Sequence, residues 1–593
     1  MSTKLRTTPV VQESVAPKPH VTLKSNSAIV PRTQVATSDQ AEVWFDRQAL
    51  IKGTLAAVAA FIAIEFLFIA FTHRDLEGDS HRAFLTGVQF GIPAREAAAG
   101  YRAALRGGAD GQFYYSISND LFGRYDAAEH IDNVVYRYQR IGIPALAGGL
   151  ATLLGYELTP PLLMHSLNIA ITCIGFGAMV YWLSIKQIHP AFALCWLLSV
   201  GTQTSITRGF LDSPADGLFI VTMLALLARR MWAYVPLAVL LLLTREMYSF
   251  FAFGIFAFTA LNRFPWKDAP SYWKRVVLTA LPGIVMLSWT AYIALHFHIS
   301  PLAARRVPGM KSYPFYAMYK ALTRFFREGQ WDQLWPALAV AAMLVLVFAI
   351  MVRRVRQLPL ALVCSIPYVL LSASLGPDMW IEYNGSGRIM NAMIVLGLFL
   401  MPFEKSIVLP LVLTLQSVMG VTVIGETRFA NSLLMSPELT HVIDGYPPNP
   451  PDAPVNQLLN DPKCRIEWVD AQSVCKRKYD GIWNWAHREL LPVKIAITNE
   501  SSLTWYPGQS PHAIWLSYLL YDAGYKTPRY LGRRAVILDQ EIPPGETREV
   551  ETYLELRQPG RKYVVEFSPW QEGPGTFSHI NPSYGSRYEF TVE

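Results

Sequence analysis

The chain has 593 residues, 52% of them hydrophobic and only 16% charged, with a formal net charge of +7. That balance excludes an ordinary soluble protein. The excess Lys and Arg fall mainly in short loops and the N-terminal tail, as the positive-inside rule produces, so the charge does not point to nucleic acid.

Residues 1–48 are rich in Ser, Thr, Pro, Gln and Lys without periodicity and read as a disordered cytoplasmic tail. Leu50 to Phe71 is the first apolar run. It is too long for a signal peptide and lacks a small-residue cleavage site, so it reads as a transmembrane helix. Lys52 marks its cytoplasmic end, and Asp75 emerges on the outside.

Residues 73–140 form a long polar loop that ionised groups keep out of lipid. Ile141 to Tyr156 is apolar but short, and carries Gly142, Pro144, Gly148 and Gly149. It is expected to be a juxtamembrane helix of the first external loop, 73–156. Further apolar helices are expected over 160–184, 189–207, 213–230, 233–246, 248–262, 276–297, 334–352, 358–375, 388–403 and 406–424. With basic loops at Arg229-Arg230, 263–275 and Arg353-Arg354 inside, this makes about eleven crossings, N-terminus inside and C-terminus outside. Counting Ile141 to Tyr156 as a crossing gives about twelve and leaves the C-terminal domain in the cytoplasm.

The expected fold class is thus a polytopic α-helical membrane protein over 49–425 with a C-terminal β-sandwich. Residues 426–492 read as a linker with short helices, including one over Asp480 to Leu490 (DGIWNWAHREL). From Val493 to the end, alternating runs broken by Pro543-Pro544-Gly545 and Pro559-Gly560 read as an antiparallel sandwich. Cys173, Cys195 and Cys364 lie in apolar runs as small packers. Cys464 and Cys475 are either bridged or free.

Candidate chemistry converges on the external face. In Asp110-Gly111-Gln112-Phe113-Tyr114-Tyr115 a carboxylate precedes glycine, and Tyr114 and Tyr115 offer a stacking wall. Asp110 is either a general base or a helix cap. Asp75 sits at a helix end. Arg208, Asp212 and Asp216 lie at a membrane-proximal turn, with Asp212 alternatively an N-cap. Arg245 and Glu246 interrupt two apolar helices, either as a self-neutralised pair or as an anion site. Arg388 follows Asn384-Gly385-Ser386-Gly387 at a helix start, a setting that suits phosphate. Tyr383 and the loop cations Arg305, Arg306 and Lys311 complete the candidate substrate contacts. Asp120 to Asp132 reads as a solvated link, and Tyr136 to Arg140 as an interfacial anchor.

The order of these features resembles the GT-C-fold glycosyltransferases. DGQFYY followed by YRYQRIGIPALAGGL is similar to a branch of bacterial membrane proteins in that superfamily, as are the LTRE turn and the Gly-x-Gly-Arg segment; the resemblance covers roughly 50–425. It implies a polyprenyl-phosphate sugar donor, a glycan or lipid acceptor, and a base in the first external loop. That base is Asp110 here, with Asp75 in reserve.

The expected activity is inverting glycosyl transfer at the periplasmic face of a bacterial inner membrane. No metal ligand set is expected; a divalent cation, Mg or Mn, at Asp110 with Asp212 or Asp216 is compatible with it and not required. The alternatives are a transport or non-catalytic subunit of an envelope polysaccharide system, or a polysaccharide polymerase or ligase.

Overall fold

The computed structural model describes residues 46–75, 80–101, 109–267, 271–298, 313–327, 331–376, 387–419, 463–506, 514–556 and 562–591, apart from short breaks inside some of these runs. Among the described residues the chain is mostly helical up to residue 419, and its regular elements from residue 464 are all strands.

Among the described residues four helices are long and apolar enough to cross a membrane: Arg47–Ala70, Pro161–Ile185, Tyr272–His296 and Leu334–Arg354. The first belongs to α1 (Arg47–Asp75), the second is α6 and the third α12. Other apolar helices are shorter: α5 (Gly142–Leu153), α10 (Met231–Thr244), α11 (Ser249–Ala260) and residues 360–373, 391–403 and 408–419. At 1.5 Å per residue, 14 residues reach about 21 Å of a hydrocarbon core of about 30 Å. The expected run of about eleven crossings therefore resolves into four full-length helices and a set of short ones. The segment expected as one helix over 189–207 is broken into a 3-10 turn (Pro190–Ala193), α7 (Leu194–Leu197) and α8 (Val200–Arg208). Its sequence VGTQTSITR is too polar for lipid, and it is buried in protein.

Glycine allows the long helices to meet. Gly53 of α1 lies against the backbone of Gly177 in α6. Gly175 of α6 does the same with Gly217 of α9 (Asp212–Leu227). Such contacts bring backbones close enough for dispersion to hold helices that gain nothing from hydrophobic exclusion in lipid. α1 also exposes Leu55, Ile62, Phe66 and Leu67, an apolar surface suited to acyl chains.

The first loop contributes α2 (Ala94–Ala98), α3 (Asp110–Asn119), α4 (Val134–Tyr138) and then α5. It is not a solvated strap. Tyr114, Tyr115, Ile117 and Tyr138 are buried, and Asp120 is buried too, accepting hydrogen bonds from the backbone N–H groups of Arg124 and Tyr125. The expectation of a solvated link over Asp120 to Asp132 fails at Asp120 because this carboxylate closes the turn after α3.

The β part begins earlier than expected. β1 (Cys464–Ala471), β2 (Cys475–Lys478), β3 (His487–Asn499) and β6 (Thr547–Leu556) form one antiparallel sheet with β3 at its centre. β4 (Ile514–Asp522), β5 (Arg529–Ile537), β7 (Lys562–Gln571), β8 (Gly575–Thr576) and β9 (Ser586–Thr591) form the other. Ile466, Val493, Ile495 and Ile497 of the first sheet share one core with Leu516, Tyr518, Val565 and Phe567 of the second. This is a sandwich, as its alternation requires. The helix expected over Asp480 to Leu490 is wrong at its described end, since His487–Leu490 is strand; 480–486 lie outside the described residues. The strand runs on backward from Leu491 through its pairing with Cys475–Lys478 on one side and with the end of the strand over Thr547–Leu556 on the other.

Register also excludes the bridge between Cys464 and Cys475. Cys464 pairs with Asn499 and Cys475 with Leu490 of the same strand. At about 3.3 Å per residue their positions lie about 30 Å apart, far beyond the roughly 7 Å limit for a disulfide.

Candidate active site

The site is assembled where α3, α4, the start of α9, the α10–α11 turn and the segment around Arg388 meet. α3 begins at Asp110 itself, with Ala109 as its N-cap residue and no side-chain cap. Asp110 is therefore free of the capping role. A Cβ on Gly111 would collide with the carbonyl oxygen of Arg208, so glycine is needed for α3 to abut the end of α8. There Gly209, at φ 65°, terminates α8 in the left-handed conformation and sends the chain into α9. These two glycines set Asp110 beside the first turn of α9.

Asp212 opens α9 and is likewise no cap. Arg245 Nη2 binds its Oδ1 at 2.7 Å, and Arg388 Nε lies 3.2 Å from its Oδ2. Arg388 also reaches Asp110 Oδ2 at 3.5 Å, while its guanidinium stacks 4.2 Å from the Phe210 ring centroid. Arg137 Nη1 lies 2.8 Å from Asp110 Oδ2, and its Nη2 donates to Asp110 Oδ1 at 3.0 Å. The same guanidinium donates to both oxygens of Asp132, at 2.8 and 2.6 Å. Arg140 grips Glu246 with Nε at 2.8 Å and Nη2 at 2.7 Å, a bidentate pair.

Tyrosines join the two halves. The Tyr114 hydroxyl accepts from Arg137 Nη1 at 3.4 Å and from Arg140 Nη1 at 2.8 Å, and the Tyr136 hydroxyl accepts from Arg140 Nη2. The contacts run Arg137, Asp110, Arg388, Asp212, Arg245, then along the chain to Glu246, Arg140, Tyr114 and back to Arg137. Four guanidiniums and three carboxylates close this ring, and Asp132 branches from Arg137 as the fourth carboxylate.

The ring has a buried side and an accessible side. The side chains of Arg140 and Asp212 are 2% and 5% exposed, whereas Asp110 is 27%, Glu246 20% and Arg388 20% exposed. Asp132, at 26%, is as accessible as Asp110, so a ligand approaching the ring meets three carboxylates and one arginine. Burial alone would make Asp110 a weaker acid, but the Arg137 and Arg388 guanidiniums outweigh it and hold its carboxyl well below the usual carboxylate range.

Asp216 lies one turn deeper on the same face of α9 and is answered by neutral donors. Tyr248 Oη donates to it at 2.5 Å and Asn391 Nδ2 at 2.6 Å, with Asn391 held in turn by Ser199 and Thr202. It is enclosed in protein, away from the accessible edge. Tyr115 is also enclosed: it donates to the Thr159 carbonyl at 2.9 Å and packs against His81 and Phe84, so it braces the loop instead of forming a stacking wall. Tyr114 is equally buried and acts as the hydrogen-bond acceptor between two arginines.

Of the expected site residues the structure gathers Asp110, Tyr114, Asp212, Arg245, Glu246 and Arg388, with Arg208 at the edge through its backbone. Arg245 and Glu246 are not a self-neutralised pair, because each binds a different partner. Asp75 is the last residue of α1. Arg305, Arg306, Lys311 and Tyr383 lie outside the described residues. Arg137, Arg140, Tyr136 and Asp132 belong to the ring, although the sequence reads them as anchor and link. Their signal was present: two arginines three apart, directly before an apolar run, need counter-charges. No group of His, Cys, Asp and Glu suited to holding a metal ion occurs among the described residues.

The fold and site together define a helical protein, four of whose described helices are long and apolar enough to cross a membrane, with a largely buried arginine–carboxylate ring beside them. Searches of family models, of curated proteins and of solved structures find no match to this chain.

Proposed function

We propose that this protein is a glycosyltransferase that moves a sugar from a polyprenyl-phosphate donor to a glycan or lipid acceptor. The observation that carries the reading is the convergence of Asp110, Asp212, Arg245, Glu246 and Arg388, from distant parts of the sequence, on one partly accessible ring. Buried charges beside a bilayer are costly, and a ring with an open edge is an arrangement that chemistry rewards. The apolar flank of α1 supplies a surface for the donor's lipid tail.

In the proposed reaction Asp110 accepts the proton of the acceptor hydroxyl as that oxygen attacks the anomeric carbon. The bond from this carbon to the phosphate oxygen breaks, and its electron pair leaves on the phosphate, inverting the configuration. Arg388 meets the growing negative charge. The leaving group is a stabilised anion and needs no general acid. The proposed location is a bacterial inner membrane, with the N-terminus cytoplasmic and the ring and β-sandwich periplasmic.

Asp110→Asn assayed for sugar transfer in membranes is expected to lose about 100- to 10,000-fold. Retained transfer would remove Asp110 as the base. Mass spectrometry of envelope glycans from a deletion strain would identify the product. A competing reading, a structural ring in a non-catalytic assembly subunit, draws on the one-for-one charge pairing; it requires that sugar transfer be absent in the wild type as well.

A further inference from the structure

The ring balances its own charge. Arg137, Arg140, Arg245 and Arg388 are matched by Asp110, Asp132, Asp212 and Glu246, and no guanidinium of the four lacks a carboxylate. An anion entering such a site would leave one negative charge uncompensated in a poorly hydrated place. It must therefore displace a carboxylate or drive one to take up a proton.

The geometry shows which carboxylate gives way. Arg388 is the most loosely held of the four cations: its contacts are 3.2 and 3.5 Å, against 2.6 to 2.7 Å for the closest contacts of Arg137, Arg140 and Arg245. It is also the accessible one, and Phe210 beneath it keeps its plane fixed while partners exchange. It is shared between two acids, so Asp110 can leave while Asp212 still neutralises it. Asp110's other partner, Arg137, holds Asp132 with two short bonds and keeps a counter-charge when Asp110 moves away.

We infer that Asp110 is the resting occupant of a phosphate seat formed by Arg388 and Arg137, and that the phosphate of the ligand takes its place. The inference rests on the phosphate-linked donor proposed above and adds a coupling to it. A base clamped by two guanidiniums is weak; once phosphate draws Arg388 away, Asp110 gains basicity when an acceptor hydroxyl is to be deprotonated. Without donor the base stays silent.

The test uses the full-length protein in nanodiscs, titrated calorimetrically with farnesyl phosphate, inorganic phosphate and farnesol. Removing the internal competitor should tighten binding, so Asp110→Asn is expected to bind farnesyl phosphate at least about tenfold more tightly than the wild type. Arg388→Gln should abolish that binding in either background, and farnesol should not distinguish the variants. Tighter binding of farnesyl phosphate than of inorganic phosphate identifies a lipid source, and equal binding overturns that source. Unchanged or weaker binding by folded Asp110→Asn overturns the inference, while wild-type binding with sugar transfer would leave the transferase reading standing. Binding by neither protein overturns both. Should the variant fail to fold, proton exchange of the wild type is measured in buffers of different ionisation enthalpy. Net proton uptake would mean that Asp110 is neutralised in place and would overturn the seat, whereas phosphate binding without proton uptake supports displacement of the ionised carboxylate.

Discussion

The helical part and the β-sandwich bury opposite things. The sandwich keeps its charges outside: Lys494 with Glu549, Lys562 with Glu589 and Arg548 with Glu546 are exposed pairs on strand surfaces. Its core is apolar, around Ile495, Ile497, Trp505, Leu516 and Phe567. A buried polar knot interrupts it, in which Asn499 Nδ2 donates to the carbonyls of Leu503 and Ile542 and its Oδ1 accepts from Ser501. That knot is neutral and satisfied, and it holds a corner of the sheet. The helical part instead draws four arginines and four carboxylates inward. A stability argument explains the first arrangement. It does not explain the second, since replacing buried ion pairs by apolar residues is often neutral or stabilising.

This contrast can be broken by mutation. The largest loss is expected for Arg140→Ala, which leaves Glu246 without its bidentate partner and strips Tyr114 and Tyr136 of a donor. Thermal unfolding in detergent should show a destabilisation of about 3–5 kcal/mol. A loss no larger than that of a surface pair would mean the ring is wetter than its geometry implies. Asn499→Ala should cost about 1–3 kcal/mol, through carbonyls left unsatisfied, and leave the ring's ligand binding unchanged.

A smaller effect sharpens the comparison by pH. The pKa of Asp110 is depressed in the folded state, so its pairing stabilises fully above the ordinary carboxylate value and is lost as pH falls through the lower, folded one. The stability difference between wild type and Asp110→Asn should stay constant above about pH 5 and shrink below about pH 4. A difference already fading near neutrality would contradict the clamp. The smallest effect belongs to Arg548→Ala on the sandwich, expected within about 0.5 kcal/mol of wild type because exposed pairs gain little in water.

Much of this was legible from local pattern alone. Apolar runs marked α1, α6, α12 and the helix over 331–354, since burial in lipid demands length and hydrophobicity that nothing else supplies. Period-two alternation marked β3, β4, β6 and β7. Asp110, Asp212, Arg245, Glu246 and Arg388 stood out because a charge beside an apolar helix is costly to keep. What a charge pairs with is another matter, because ionic partners are chosen across space and leave no periodicity. Arg245 turned away from its neighbour Glu246 to Asp212, Glu246 turned to Arg140, and the arginines expected as a membrane anchor became half of the ring. The sequence by itself determined that charges would be held against the apolar helices. Only the tertiary structure, by packing α3 against the end of α8 through Gly111 and folding the first loop inward, decided that they would close on one another.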